Sequence, residues 1–177
     1  MSMEQTAYME RASVPDRAAL QAAVDALGFD CQVDEYYVPF ECSGCLPCML
    51  NGQLTGPEIY FEETSECLKQ FPHRAEVVGS RDVAVTFRWG ARFSESACVC
   101  ILCAAFAQSC GAIVQYVDDD ILYSADELFA EAHSALEELV KNPEPDPEDD
   151  PPPPAAPHRP PSGLGGWLRG LFGGGRE

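Results

Sequence analysis

The stretch that decides the fold is residues 83–117, VAVTFRWGARFSESACVCILCAAFAQSCGAIVQYV. Its first seven residues place their larger apolar side chains on alternate positions, which is the pattern of a β-strand with one apolar face. Gly90 ends this strand, and Ser94 is placed to cap a helix over about 95–110 that is apolar on almost every side. A second strand follows over 112–117. This order predicts a right-handed parallel crossover around a buried central helix.

Upstream of this unit, the sequence predicts one helix and two strands. Ser13-Val-Pro-Asp16 is a helix start, because Ser caps, Pro suits the first turn and Asp complements the positive helix end. Aromatic and β-branched residues favour strands further on, and glycines and prolines favour a loop between them. Residues 63–80 are ambiguous and are compatible with one or two helical turns. The predicted elements are a helix over 14–27, strands over 29–40 and 58–62, and a long loop over 41–57.

Downstream, the sequence predicts a turn at Asp118–Asp120, an extended segment and a last helix. The pattern Ser124-Ala-Asp-Glu127 is a capping box that opens this helix, and Asn142-Pro143 ends it. We therefore expect an α+β domain over 1–141. Its predicted architecture is a mixed sheet of about four to five strands, with helices packed on one face.

The composition changes beyond this domain. Residues 143–162 hold ten prolines and five acidic residues, and none of their apolar residues is larger than Ala. We expect a disordered linker over 142–162, because such a segment cannot bury a core. In the tail over 163–177, apolar residues recur at helical spacing, which predicts a short amphipathic helix. This helix would dock to a partner, contact a membrane surface or have no role. Its apolar positions are Leu164, Trp167, Leu168, Leu171 and Phe172.

Charge is the strongest indication of function. The chain has 29 Asp and Glu against 11 Lys and Arg, a net charge of -18. Residues 1–140 alone carry 23 acidic and 7 basic residues, a net of -16, so the acidity belongs to the predicted domain. Such a field repels nucleic acid and anionic lipid and attracts basic proteins. We expect a basic protein partner, with Asp118, Asp119 and Asp120 among the partner-binding residues; a solvated turn, or a divalent-cation site, is the alternative for these three.

The cysteines predict a compartment and a second candidate site. Nine cysteines with no secretory signal, and no run of about 18 apolar residues, indicate a reducing cytoplasm. Cys42-Ser-Gly-Cys45-Leu-Pro-Cys48 has the spacing of a thiolate zinc or iron–sulfur site, and buried apolar packing is the alternative. A fourth ligand would be Cys31, Cys67 or His73. The cysteines expected to pack in the central helix are Cys98, Cys100, Cys103 and Cys110.

Catalytic patterns are missing from the sequence. The three histidines are scattered at His73, His133 and His158, and they form no recognisable set with a Ser or Cys nucleophile. The glycines of the tail do not follow a strand, so they are not a phosphate-binding loop. We therefore expect a protein without enzymatic activity and without a required cofactor.

Three segments carry a resemblance to a known class: 56–61, GPEIYF; 81–90, RDVAVTFRWG; and 121–128, ILYSADEL. They resemble segments of small acidic bacterial cytosolic proteins, which are similar in size and acidity to immunity proteins of contact-dependent and type VI toxin systems. The resemblance covers about 20–140; the cysteine cluster and the Pro-rich tail depart from it. It implies an inhibitor that covers a basic surface of its partner. The alternatives are a thiolate metal-binding or redox protein and a peripheral membrane adaptor that uses the tail.

Overall fold

The computed structural model describes residues 2–145. Most of the linker and the whole tail, with Trp167, Leu168, Leu171 and Phe172, lie outside the described residues. Within 2–145 the elements are β1 Met3–Met9, α1 Arg17–Ala26, β2 Cys31–Val33, β3 Gly44–Cys45, β4 Cys48–Leu50, β5 Gln53–Thr55, β6 Glu58–Glu63, α2 Thr64–Cys67, α3 Ala75–Val78, β7 Val83–Trp89, α4 Phe93–Cys110, β8 Ile113–Tyr116, β9 Ile121–Tyr123 and α5 Ala125–Lys141.

The strands form two sheets. The large sheet has six strands in the order β3-β6-β7-β1-β8-β9, and the small sheet has three in the order β2-β4-β5. Every paired strand in both sheets is antiparallel. The predicted α+β class is therefore confirmed, whereas the expectation of one mixed sheet of four to five strands is wrong in strand number and in pairing.

The central strand of the large sheet is β1, where the sequence predicted no element. It pairs with β7 on one side and with β8 on the other, through Ala7 opposite Val85 and Val114. Because β7 and β8 are both antiparallel to β1, they run in the same direction without touching. As predicted, α4 connects two strands that run in the same direction, β7 and β8. Because β1 lies between these two strands in the sheet, they do not form a parallel pair.

The core lies between the large sheet and α4. Buried side chains of β1 and β7, among them Ala7, Val85 and Phe87, pack with the buried face of α4. The helices α1 and α5 pack along α4, and the small sheet contributes Cys48 and Leu50 to the same core. The short helices lie on the other face of the large sheet, where Val78 of α3 packs with residues of β1 and β7. Helices therefore cover both faces, not one.

The central helix is as apolar as the sequence predicted. The 18 residues of α4 have the length and the mean hydropathy, 1.4, of a membrane span, although polar residues in its first and last turns interrupt the apolar run. Of this window 61% is buried inside the protein, which is typical of a helix in a protein core.

The first residues of three helices show which of the predicted capping residues are correct. The capping box at Ser124 is confirmed, with both reciprocal hydrogen bonds to Glu127. The first helix begins later than predicted, because the Asp16 carboxylate, rather than Ser13, caps it by accepting the Ala19 N–H at 2.8 Å. Ser94 does not cap α4: it lies inside the first turn, and the cap is a carboxylate from a distant part of the chain, described below.

The predicted strand 29–40 and loop 41–57 are wrong in detail. The strand is limited to Cys31–Val33, because the Asp34 carboxylate accepts the Tyr36 N–H at 2.8 Å and turns the chain. The loop contains three short strands, β3, β4 and β5. A two-residue Asn51-Gly52 turn joins β4 to β5, and both of its residues have positive φ, as such hairpins require.

Candidate functional site

An acidic cleft of about 190 Å³ lies on the face of the large sheet that is turned away from α4. We call it the outer-face cleft. Strand β1 supplies its floor, β6 and β7 supply one wall, and α2 with the residues after it supplies the other. The residues that line it include Glu4, Thr6, Tyr8, Glu62, Cys67 and Arg88.

The floor of the cleft is a satisfied polar network. Thr6 and Thr86 lie directly opposite each other, and their hydroxyl oxygens are 3.0 Å apart. The Thr86 hydroxyl donates to the Glu62 carboxylate at 3.4 Å, so it accepts from Thr6. The Tyr8 hydroxyl donates to the side-chain carbonyl of Gln115 at 2.8 Å. Because these buried groups are all paired, the network holds the cleft in one shape.

The charges of the cleft are only partly paired. Arg88 Nε donates to the Glu4 carboxylate at 2.6 Å, and the Arg88 guanidinium lies 5.1 Å from the Tyr60 ring centroid. Glu66 pairs with Lys69 at the exposed rim, where such pairs contribute little. Among residues 2–145, Glu62 forms no ion pair and accepts only from the Thr86 hydroxyl and, at 3.8 Å, from the Cys67 thiol. Glu62 therefore has no ion pair of its own among the described residues, and its charge acts on the Arg88 guanidinium of the same cleft only at longer range.

The neutral groups of the cleft stay protonated. Burial, together with the negative charge of Glu62, raises the pKa of the Cys67 thiol to about 11. Burial also raises the pKa of the Tyr8 hydroxyl well above its ordinary value of about 10. At neutral pH neither group is a nucleophile or a base. The carboxylates of the cleft suit the binding of a cationic group, because guanidinium and ammonium groups only donate hydrogen bonds.

The aspartates predicted to bind a partner have two different roles. The Asp120 carboxylate accepts from Arg74 Nε at 2.8 Å, from Gln115 Nε2 at 2.7 Å and from His73 at 2.7 Å. It is therefore committed to contacts within the protein, and the hydrogen bond from Arg74 lowers its pKa. Asp118 accepts the Glu4 N–H at 3.1 Å, and both Asp118 and Asp119 are exposed next to the end of the cleft. Their contact with a partner stays a prediction.

The cysteines of the predicted metal loop lie in different environments. Cys42 and Cys48 are buried, whereas Cys45 is exposed. Cys48 belongs to a buried group of three thiols with Cys31 and Cys98, in which the Sγ atoms of Cys31 and Cys98 are 3.9 Å apart. Hydrogen bonds with the other two thiols, together with burial, raise the pKa of Cys98.

The remaining ligand candidates lie elsewhere. Cys67 lines the outer-face cleft, and His73 contacts Asp120. Within the part of the chain that the structure describes, no group of three or more His, Cys, Asp or Glu side chains could hold a metal ion. The zinc or iron–sulfur site at Cys42, Cys45 and Cys48 stays a prediction without a structural argument in its favour.

The cleft could not be predicted from the sequence because its central strand, β1, was not predicted. Glu4, Thr6 and Tyr8 point to the cleft side of this strand, and Gln5 and Ala7 lie on the opposite face. The period of two is present in the sequence, but polar side chains occupy both faces, so the alternation of apolar and polar residues is lost.

Comparisons with protein-family models, with curated proteins and with solved structures found no match to this chain. The resemblance to immunity proteins and the cytoplasmic location stay predictions.

Proposed function

We propose that the protein is a non-enzymatic cytoplasmic binding module for a basic protein, in the manner of an immunity-type inhibitor. The outer-face cleft receives a lysine or arginine side chain of that partner. The observation that carries this proposal is the Glu62 carboxylate, which lines the cleft without an ion pair among residues 2–145. A guanidinium or ammonium group at this position gains a charge-assisted hydrogen bond.

The size of the cleft supports a single side chain as its occupant. A volume of about 190 Å³ is smaller than the roughly 300–1,000 Å³ of pockets that enclose a drug-sized ligand. The protonated Tyr8 and Cys67 lining the cleft support binding rather than catalysis, since neither can attack a substrate at neutral pH.

The charge of the whole chain supports the choice of partner. A net charge of -18 steers basic proteins toward the surface and raises their association rate at low salt. The mechanism is occlusion: the acidic surface approaches a basic surface of the partner, and one cationic side chain docks in the cleft.

A titration of the ¹⁵N-labelled full chain with N-acetyl-arginine-N-methylamide tests the cleft. We expect amide shifts in β1 and β6, and none with the neutral citrulline analogue. Glu62→Gln should weaken binding at least about fivefold, because it removes the charge from the acceptor. The matched control is Glu137→Gln on exposed α5, which changes the net charge equally. Equal weakening by both variants, or shifts spread over the whole surface, would contradict the cleft as the site.

A further inference from the structure

The segment 34–42, called the aromatic loop below, presents apolar side chains to solvent. Tyr36, Val38 and Phe40 are exposed by 46%, 41% and 44%. They alternate with Tyr37, which is 1% exposed and packs in the core. Packing in the core therefore explains why Tyr37 is apolar, but it does not explain why its three exposed neighbours are.

Phe40 is held in an unfavourable backbone conformation. Its φ is 67°, in the left-handed region that an aromatic residue rarely adopts. The turn is fixed by the N–H groups of Glu41 and Cys42, which both donate to the Val38 carbonyl, at 3.1 and 3.0 Å. The Tyr36 hydroxyl also donates to the Ser43 carbonyl at 3.0 Å. A strained non-glycine residue in a pinned loop indicates a function for its side chain, since glycine would fit the backbone better.

The Phe40 ring is oriented but not covered. Its centroid lies 5.2 Å from that of Phe61, and the Arg11 guanidinium carbon lies 4.9 Å from it. Arg11 is itself fixed by an ion pair with Glu63 at 2.5 Å. The ring is thus preorganised by two neighbours while 44% of the residue remains in contact with solvent. An exposed aromatic side chain with so little freedom is a typical anchor of a protein interface.

Acidic residues surround this anchor. Glu35 and Glu41 flank the exposed apolar residues in the loop, and Glu63 lies beside Arg11; all three are exposed. The cation beside the ring, Arg11, is paired with Glu63 and Asp82, so the rim stays acidic in net charge. An apolar centre with such a rim is complementary to an apolar pocket with a basic rim.

Phe61, under the anchor, and Glu62, in the cleft, are consecutive residues of β6 and point to opposite faces. The edge strand β3 pairs only with Glu58 and Ile59 of β6, so it does not cover the end of β6 that carries Phe61 and Glu62. One partner that contacts this end can therefore reach both.

We propose that Phe40 is the apolar anchor of the interface with the basic partner and inserts into an apolar pocket of that partner. This inference rests on the proposed function and names the part of the surface that supplies affinity, whereas the net charge supplies the association rate.

The test measures the affinity of the full chain for the basic protein that it recovers, at low salt, from the cells that produce it. Phe40→Gly and Phe40→Asn remove the ring and keep residues that tolerate a positive φ. We expect the dissociation constant to rise about 30-fold or more for both variants, with a melting temperature within about 3 °C of the parent. The control is Phe129→Ala in α5, an aromatic residue exposed by 37%, which should change affinity less than about threefold.

The outcomes separate the two claims. If the parent chain recovers no basic protein, or binds it with no dependence on salt, the proposed function fails and the anchor fails with it. If the parent binds with the expected salt dependence but both Phe40 variants bind within about threefold of it, the anchor alone is wrong. Equal losses for Phe129→Ala and Phe40→Gly would also contradict the anchor.

Discussion

Asp120 illustrates how one residue serves the fold rather than a partner. Its backbone has a φ of 53°, and its carboxylate joins Arg74 and His73 to the buried Gln115. Gln115 in turn accepts from Tyr8 at the floor of the cleft. The sequence shows three consecutive aspartates. It could not show that the third is turned inward, because Arg74 and His73 lie 46 and 47 residues away from it.

The lowered pKa of Asp120 makes a prediction for pH dependence. A carboxylate whose pKa is lowered by folding stabilises the protein above its unfolded pKa of about 3.9, and this contribution is lost as pH falls through the folded value. Asp120→Asn keeps a residue that tolerates positive φ. We expect it to be less stable than the parent at neutral pH and the difference to shrink below about pH 4. Urea unfolding at both pH values measures this; a constant difference would contradict it.

Gly56 gives a prediction about close packing. A Cβ atom at this position would lie 2.0 Å from the Leu46 carbonyl oxygen, a backbone atom that cannot move aside. We expect Gly56→Ala to lower the free energy of unfolding by about 2–3 kcal/mol. Gly52→Ala is the control: it also has positive φ, but nothing lies within 4 Å of its Cβ position. It should cost about 1 kcal/mol, measured by urea unfolding, and equal costs at both positions would be inconsistent with the contact.

At the scale of elements, the start of α4 depends on a residue that follows α5. The Glu144 carboxylate accepts the Phe93 N–H at 2.5 Å and the Ser94 hydroxyl at 2.5 Å. The Thr55 hydroxyl donates to Ser94 at 3.1 Å, which connects the small sheet to the same point. A carboxylate at this end also complements the helix dipole.

Removal of this cap should be measurable. We expect Glu144→Ala to destabilise the protein by about 1 kcal/mol and to speed amide hydrogen exchange in the first turn of α4. Glu137→Ala, an exposed residue within α5, is the matched control and should leave that exchange unchanged. If the two variants behave alike, Glu144 is not the cap.

The elements that could be predicted are those with long periodic patterns. The strand at 83–89 and the helix α5 each have a consistent period, whereas α4 was predictable from a long apolar run; all three have clear stop signals. The small sheet could not be predicted, because strands of two or three residues are too short to show a period. β1 could not be predicted because Gln5 and Thr6 are buried polar residues on opposite faces of it.

At the scale of the whole molecule, the sequence predicted the charge but not its arrangement. The cleft combines β1, β6, β7 and α2, and its ion pair joins residues 84 positions apart. No local pattern could bring Glu4 and Arg88 together, since the pairing follows from the strand order of the large sheet. The acidic exterior was predictable because net charge is a sum over residues, whereas a site depends on topology.

The association rate of the recovered basic partner tests the central claim, that an acidic surface guides and holds a basic protein. The rate constant is measured by stopped flow with the full chain at about 20 mM and about 500 mM NaCl, a range over which the screening length shortens severalfold. We expect the rate constant to fall at least about tenfold with rising salt, and to fall less for Glu62→Gln than for the parent. A rate constant that stays the same across this range would show that charge does not guide the association.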